Sequence, residues 1–217
     1  MAQIFRIDLH THSILSYDGG LSEREYELLF LRGVLDCAAI TDHNEINFAK
    51  QLHKRLGKKI IVGEEIDTKE GQIIGLFLRK RIAPGKDAKE TAKQIRSQGA
   101  IVYIPHPFET MRAGISVETL EQISHLVDII EVFNSRSLQK KTGQKAAQIA
   151  RGKRFDMASS SDAHGYSGMG VAYSILADMP AKETIVGLLR KALYQRQQAK
   201  ILSRLTPKIN KLKKMLL

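Results

Sequence analysis

The stretch Asp8-Leu9-His10-Thr11-His12-Ser13 decides the reading of this chain. It closes a short apolar run, Ile4–Leu9, that reads as a strand, and it sets two imidazoles two residues apart. On extended backbone, residues i and i+2 face the same way, so His10 and His12 are placed to grip one ion together. A single His-x-His pair is a weak signal, but the pattern recurs. Asp42-His43 follows a strand at Asp36–Thr41, and Glu65 lies near the end of Lys59–Ile66. Ala100–Ile104 stops at Pro105-His106-Pro107, and Asp128–Phe133 leads to Asn134. Met157–Ser160 leads to Ser161-Asp162-Ala163-His164. Independent caps and turns have no reason to place His, Asp or Glu after nearly every strand.

Amphipathic helices fill the gaps between these strands. They are expected at Ser22–Leu31, with a Ser22/Glu25 capping box, Glu45–Leu56, Asp87–Gln98, Ser116–His125, Leu138–Arg151 and Ala181–Leu193. Thr206-Pro207 reads as the N-cap and first residue of a last basic helix. Gln72–Leu78 reads as a strand paired to Lys59–Ile66 across Thr68–Gly71. Strands joined by helices form parallel sheets, because parallel neighbours need a long crossover. Periodicity leaves a closed barrel and an open sheet both standing. In a barrel, the strand ends share the face on which active sites are built.

Imidazole with carboxylate suits Zn, Mn or Fe, whereas all-oxygen sites suit Mg or Ca. The candidate ligands are His10, His12, Asp18, His43, Glu65, His106, Asn134, Asp162 and His164, more than one ion can take. Two or three divalent ions are therefore expected. Blander readings exist for some of these residues: Asp42-His43 fits a helix cap, and Asn134 fits a loop residue bonding its own backbone. His53 and His125 follow no strand and read as structural or solvated.

The motifs together resemble the PHP (polymerase and histidinol phosphatase) superfamily. The resemblance rests on Asp8–Ser13, Tyr17-Asp18-Gly19, Ile40–His43, Gly63-Glu64-Glu65-Ile66, Pro105-His106-Pro107, Glu131–Asn134 and Ser161–His164, in order, across residues 4–177. It implies a single-domain α/β fold, a distorted (β/α)7 TIM-like barrel, with a trinuclear metal centre and phosphoesterase activity. By resemblance His10, His12, Glu65 and Asp162 hold a first ion. Glu65 bridges to a second ion held by His106, with Asn134 as a further candidate. Asp18, His43 and His164 hold the third. Glu65 is preferred over Glu64 because the family motif is Gly-x-Glu, and alternation puts the two carboxylates on opposite faces.

Composition bounds the remainder. The chain has 217 residues and one cysteine, Cys37, which excludes a disulfide framework. Its formal charge of +11 is uneven: Thr184–Leu217 holds nine basic residues and no acidic one, leaving 25 basic and 23 acidic groups in the rest. Residues 1–180 are expected to form the barrel, and 181–217 a basic helical segment packed on it. That segment is also a candidate for RNA contact. No apolar stretch has the length of a signal peptide core or membrane helix, so a cytoplasmic protein is expected.

The expected chemistry is hydrolysis of a phosphate ester by a metal-activated hydroxide, on a small phosphorylated metabolite or a nucleotide or short oligonucleotide. Arg112 and Arg136 are candidates to bind the phosphate, and Asp42 to orient His43 or protonate the leaving group. Two alternatives stand beside it. One is an amidohydrolase-type metal hydrolase, the other a metal-binding, non-enzymatic RNA-interacting protein.

Overall fold

The computed structural model describes residues 3–216. Six strands run in one direction: β1 (Phe5–Thr11), β2 (Cys37–Ile40), β3 (Ile60–Thr68), β5 (Ile101–Ile104), β6 (Ile129–Asn134) and β7 (Asp156–Ser160). β4 (Gly71–Leu76) lies antiparallel between β3 and β5. β8 (Ala172–Leu176) and β9 (Leu193–Arg196) form an antiparallel extension beyond β1. The order across the sheet is β7-β6-β5-β4-β3-β2-β1-β8-β9.

The sheet curls until its ends meet. Thr11 bridges Ala163 in parallel, and the Asp162 amide donates to the His10 carbonyl at 2.9 Å. Lower down, the Ser159 hydroxyl donates to the Gln195 carbonyl at 2.7 Å. The result is a nearly closed, TIM-like barrel.

Helices α1 (Glu23–Leu31), α2 (Asn47–Leu56), α3 (Ala88–Ser97), α4 (Val117–Ile123) and α5 (Lys140–Lys153) connect the strands. Ser22 and Glu25 form the expected capping box. Asp87 caps α3, and Gly57 ends α2 with φ of 59°. Alternation along the strands divides the apolar residues. Ile40, Val62, Ile104 and Ile130 meet helix residues such as Tyr26, Leu52, Ile95 and Leu120. Their neighbours Ala39, Ile61, Tyr103 and Ile129 fill the barrel, with Ile185 and Leu189 of the short helix α6 (Ile185–Leu189) packed on them.

Three expectations for the C-terminal part need correction. The helix expected at Ala181–Leu193 is only α6, and its last residue begins β9, because Ile175 to Ala172 of β8 offer Leu193 to Arg196 a pairing edge. β8 itself was not anticipated. The last helix, α7, spans Ile201–Met215, so Thr206 and Pro207 lie inside it rather than at its start. Pro207 forfeits one helical hydrogen bond but is buried against the barrel, which offsets the loss. No helix among the described residues is long and apolar enough to cross a membrane.

Candidate metal centre

The shared end of the parallel strands gathers the predicted residues. His10 lies inside β1, and His12 follows it by one residue. Glu65 belongs to β3 and Asn134 ends β6. His43, His106, Asp162 and His164 sit in the turns after β2, β5 and β7, and Asp18 in the loop that follows β1. All are buried except His43, which is partly so.

Glu65 is the centre of the arrangement. Its Oε2 lies 3.4 Å from His10 Nε2, 3.4 Å from His12 Nε2 and 3.3 Å from His43 Nδ1. Its Oε1 lies 3.0 Å from His106 Nε2. Asp162 Oδ1 is 3.4 Å from His12 Nε2 and 3.6 Å from His10 Nε2. Asp18 completes the far side, 3.1 Å from His164 Nε2 and 3.6 Å from His43 Nε2. Three overlapping groups offer ligand atoms within 4.8 Å of one another: His10/His12/Glu65, His10/His106/Asp162 and His12/Asp18/His43/His164. Glu64 points elsewhere and accepts the Ile82 amide at 2.9 Å.

The electrostatics fit a cation. Burial disfavours charge on Glu65, Asp162 and Asp18, yet facing imidazoles and arginines hold all three carboxyls below their ordinary range. Burial opposes a charged His10 as well, but Asp162, Glu65 and Glu131 outweigh it and push its pKa well up. A field that holds a proton there also attracts a metal ion. His12 goes the other way: burial, then its neighbour His164, lower it to about 3, which leaves it neutral. Neither of its ring nitrogens has a hydrogen-bond partner. A buried imidazole without partners is costly, and a neutral one is a metal ligand. The donor set of five imidazoles and three carboxylates therefore fits divalent ions.

Two candidate ligands have left-handed backbone, His106 with φ of 25° and Asp162 with φ of 54°. Such conformations are uncommon for residues with a Cβ and concentrate at functional sites. The fold fixes His106 through its amide, which donates to Glu131 Oε2 at 2.6 Å.

The remaining predicted residues occupy the rim. Arg112 donates to Asp162 and, at 3.2 Å, to Asn134 Oδ1. Arg136 donates to Asp162 Oδ1 at 3.1 Å. Asn134 donates from Nδ2 to Glu131 at 2.9 Å and Asp162 at 3.2 Å, so both ends of its amide are engaged within the rim network. Asp42 does not reach His43. Its carboxylate accepts the Ser13 amide at 2.6 Å and the Ser13 hydroxyl, and burial raises its pKa to about 6. It anchors the loop after β1 rather than orienting the imidazole.

Several functional contacts were not foreseen. Glu131 binds His10 Nδ1 at 3.3 Å, and the Tyr103 hydroxyl donates to it at 2.8 Å. Its signal was a carboxylate inside Ile129-Ile130-Glu131-Val132-Phe133, on the same face as Ile129. Asp8 carries the same signal, and accepts the Ser161 amide at 3.1 Å. Tyr17 stacks on His43 with ring centroids 4.8 Å apart. The amide of Asn210, on α7, donates to the carbonyls of Asp18 at 3.0 Å and His164 at 2.9 Å. Lys214 donates to the carbonyls of Ile14, Ser16 and Gly19. A cavity of about 550 Å³ opens beside the centre, from His106, Glu131 and Asn134 out to Arg151 and Arg196.

No protein-family model matches the chain. An uncharacterized protein of Methanocaldococcus jannaschii is 36% identical over 179 residues, which cover 77% of this chain and 69% of that protein. A two-domain protein from Bacteroides vulgatus containing a predicted PHP-like metal-dependent phosphoesterase superposes with a TM-score of 0.71 at 20% identity. The match covers 90% of this chain and 65% of that one, so this chain spans less than two thirds of it. The lesion-specific endonuclease PfuEndoQ from Pyrococcus furiosus superposes with a TM-score of 0.62 at 15% identity, over 86% of this chain and 56% of that one. These two likenesses are of fold, and the fold is the one that the ordered strand-end motifs imply. The chain belongs to one family with this Methanocaldococcus protein, and its fold is that of the PHP-like phosphoesterase structure.

Proposed function

We propose that this protein is a metal-dependent phosphoesterase that cleaves a phosphate ester of a small metabolite, a nucleotide or a short oligonucleotide. The observation that carries the reading is Glu65, one buried carboxylate shared by four imidazoles, with two arginines converging on Asp162 beside it. Similarity to a protein with a PHP-like metal-dependent phosphoesterase and to an endonuclease supports it.

Two or three divalent ions, of Zn, Mn or Fe, are assigned to the centre. His10, His12, Glu65 and Asp162 would hold one; Glu65 and His106, with Asn134 as a further candidate, would hold a second; Asp18, His43 and His164 would hold a third. Bound there, the ions supply a lowered pKa for water and positive charge against the phosphoryl oxygens. The protein supplies the remainder. Arg112 and Arg136 bring two permanent cations to the rim, where a fork of N–H donors suits phosphate oxygens. Glu131 fixes the His10 ring through Nδ1, leaving Nε2 toward the centre. The cavity at Asn134 takes the part of the substrate beyond the phosphoryl group, and its 550 Å³ suits a small molecule. Site of action in the cytoplasm belongs to the same reading, with Cys37 a buried free thiol.

The test is phosphate release from an aryl phosphate and a panel of nucleotides with Mn present. The wild type releases phosphate from at least one of them, and Asp162→Ala and His10→Ala do not. Equal rates in all three proteins contradict the reading.

A further inference from the structure

The last helix is docked inside out. A helix on a globular protein normally turns its apolar stripe toward the core. α7 meets the barrel instead through Ser203, Pro207, Asn210 and the tip of Lys214. Ser203 donates to Ser167 at 3.0 Å, and Asn210 and Lys214 donate to carbonyls around Asp18 and His164. At about 100° per residue, these positions centre about 160° away from Ile201, Leu202, Leu205, Ile209, Leu212 and Leu216. Those six form one stripe, and their exposure runs from 42% at Leu205 to 79% at Leu216. Arg204, Lys208 and Lys211 run along one edge of the stripe, and Lys213 flanks the other.

The charge around the stripe selects what covers it. Thr184–Leu217 holds nine basic residues and no acidic one. Docked through the stripe, a second copy of the chain would bring Arg204, Lys208, Lys211 and Lys213 against the same four cations, a costly juxtaposition. RNA would answer the charge and leave the stripe in water. An anionic bilayer answers both, since the apolar face enters the acyl boundary while Lys and Arg stay among the headgroups. The exposed Ile14, Leu15 and Tyr17 add apolar area on the loop that Lys214 grips.

We infer that α7 is an interfacial helix that binds this protein to an anionic phospholipid surface. Asn210 on the opposite face touches the carbonyls of Asp18 and His164, so lipid-bound α7 holds that edge of the metal centre within about one helix diameter, ~10 Å, of the headgroups. The inference stands apart from the phosphoesterase reading, because it uses only the helix and its docking.

The experiment is sedimentation of the full-length protein with large vesicles of phosphatidylcholine alone or mixed equally with phosphatidylglycerol. The expected result is partition at least about tenfold stronger on the anionic vesicles, weakening as salt rises. Leu205→Glu with Leu212→Glu changes two exposed side chains, so the fold is retained by circular dichroism while binding is lost. Protein that stays in the supernatant with anionic vesicles overturns the inference. So does equal binding by the double variant, which would assign the binding to charge alone. A stable dimer by light scattering that the double variant dissolves, without vesicle binding, would give the stripe to a second copy and also overturn it.

Discussion

Glu131 Oε1 lies 3.3 Å from His10 Nδ1, and its other oxygen accepts the His106 amide at 2.6 Å. One carboxylate from β6 thus fixes a ring on β1 and a strained backbone after β5. Replacing Glu131 with Ala frees the His10 ring and leaves the Tyr103 hydroxyl without its acceptor. Loss of such a partner behind a metal ligand weakens metal binding by about 10–100-fold. A Mn titration followed by calorimetry measures it, with Glu131→Gln expected to lose less because it keeps an acceptor for His106.

Asn210 ties the carbonyls of Asp18 and His164 from a helix near the end of the chain. Asn210→Ala removes both bonds and loosens one side of the His12/Asp18/His43/His164 group. The expected outcome is weaker binding at one ion, by about tenfold, with the others unchanged. Competition against a chromogenic chelator resolves the separate affinities, and uniform affinities across wild type and variant would refute the role.

Gly114 leaves no room for a side chain. A Cβ there would come within 2.5 Å of the His106 carbonyl and 2.7 Å of the Glu109 amide. Gly114→Ala pushes on the loop that holds His106 and Glu109, the latter paired with Arg112. Overpacking of this kind costs about 1–3 kcal/mol, and a displacement near 1 Å at the centre lowers kcat/KM by about 100-fold. Steady-state kinetics beside a thermal melt checks both.

Ser22 serves as a control. Its side chain caps α1 with Glu25 and bonds to none of the imidazoles. Ser22→Ala is expected to cost about 1 kcal/mol, a fall in Tm of about 2–4 °C for a chain of this size. Metal content stays at the wild-type value. A loss of metal in this variant would show that global stability, rather than local geometry, governs binding.

The parallel strands and the polar ends of nearly all of them were legible because each depends on local pattern. Apolar runs of four to six residues stop at His, Asp or Asn, and alternation separated Glu64 from Glu65. What was not legible depends on distant partners. Ala181–Leu193 reads as one helix on paper, but the free edge of β8 draws Leu193 into a strand. Thr206-Pro207 looks like a helix start, but burial of the Pro207 ring carries the helix through it. Asp42 reads as a partner of the adjacent His43, yet Ser13, in the loop after β1, reaches it first. Asn210 and Lys214 had no motif at all, since their acceptors are backbone carbonyls nearly two hundred residues earlier or on a different loop.

The central claim is that a buried cluster built around Glu65 holds divalent ions that the reaction requires. The most direct measurement is metal per chain by mass spectrometry, taken together with phosphate release, after chelation and again after Mn is restored. The account predicts two or three ions per chain, loss of phosphate release with the ions, and recovery of both on restoration. Phosphate release that persists in metal-free protein, or a chain that binds no ion at saturating Mn, contradicts it.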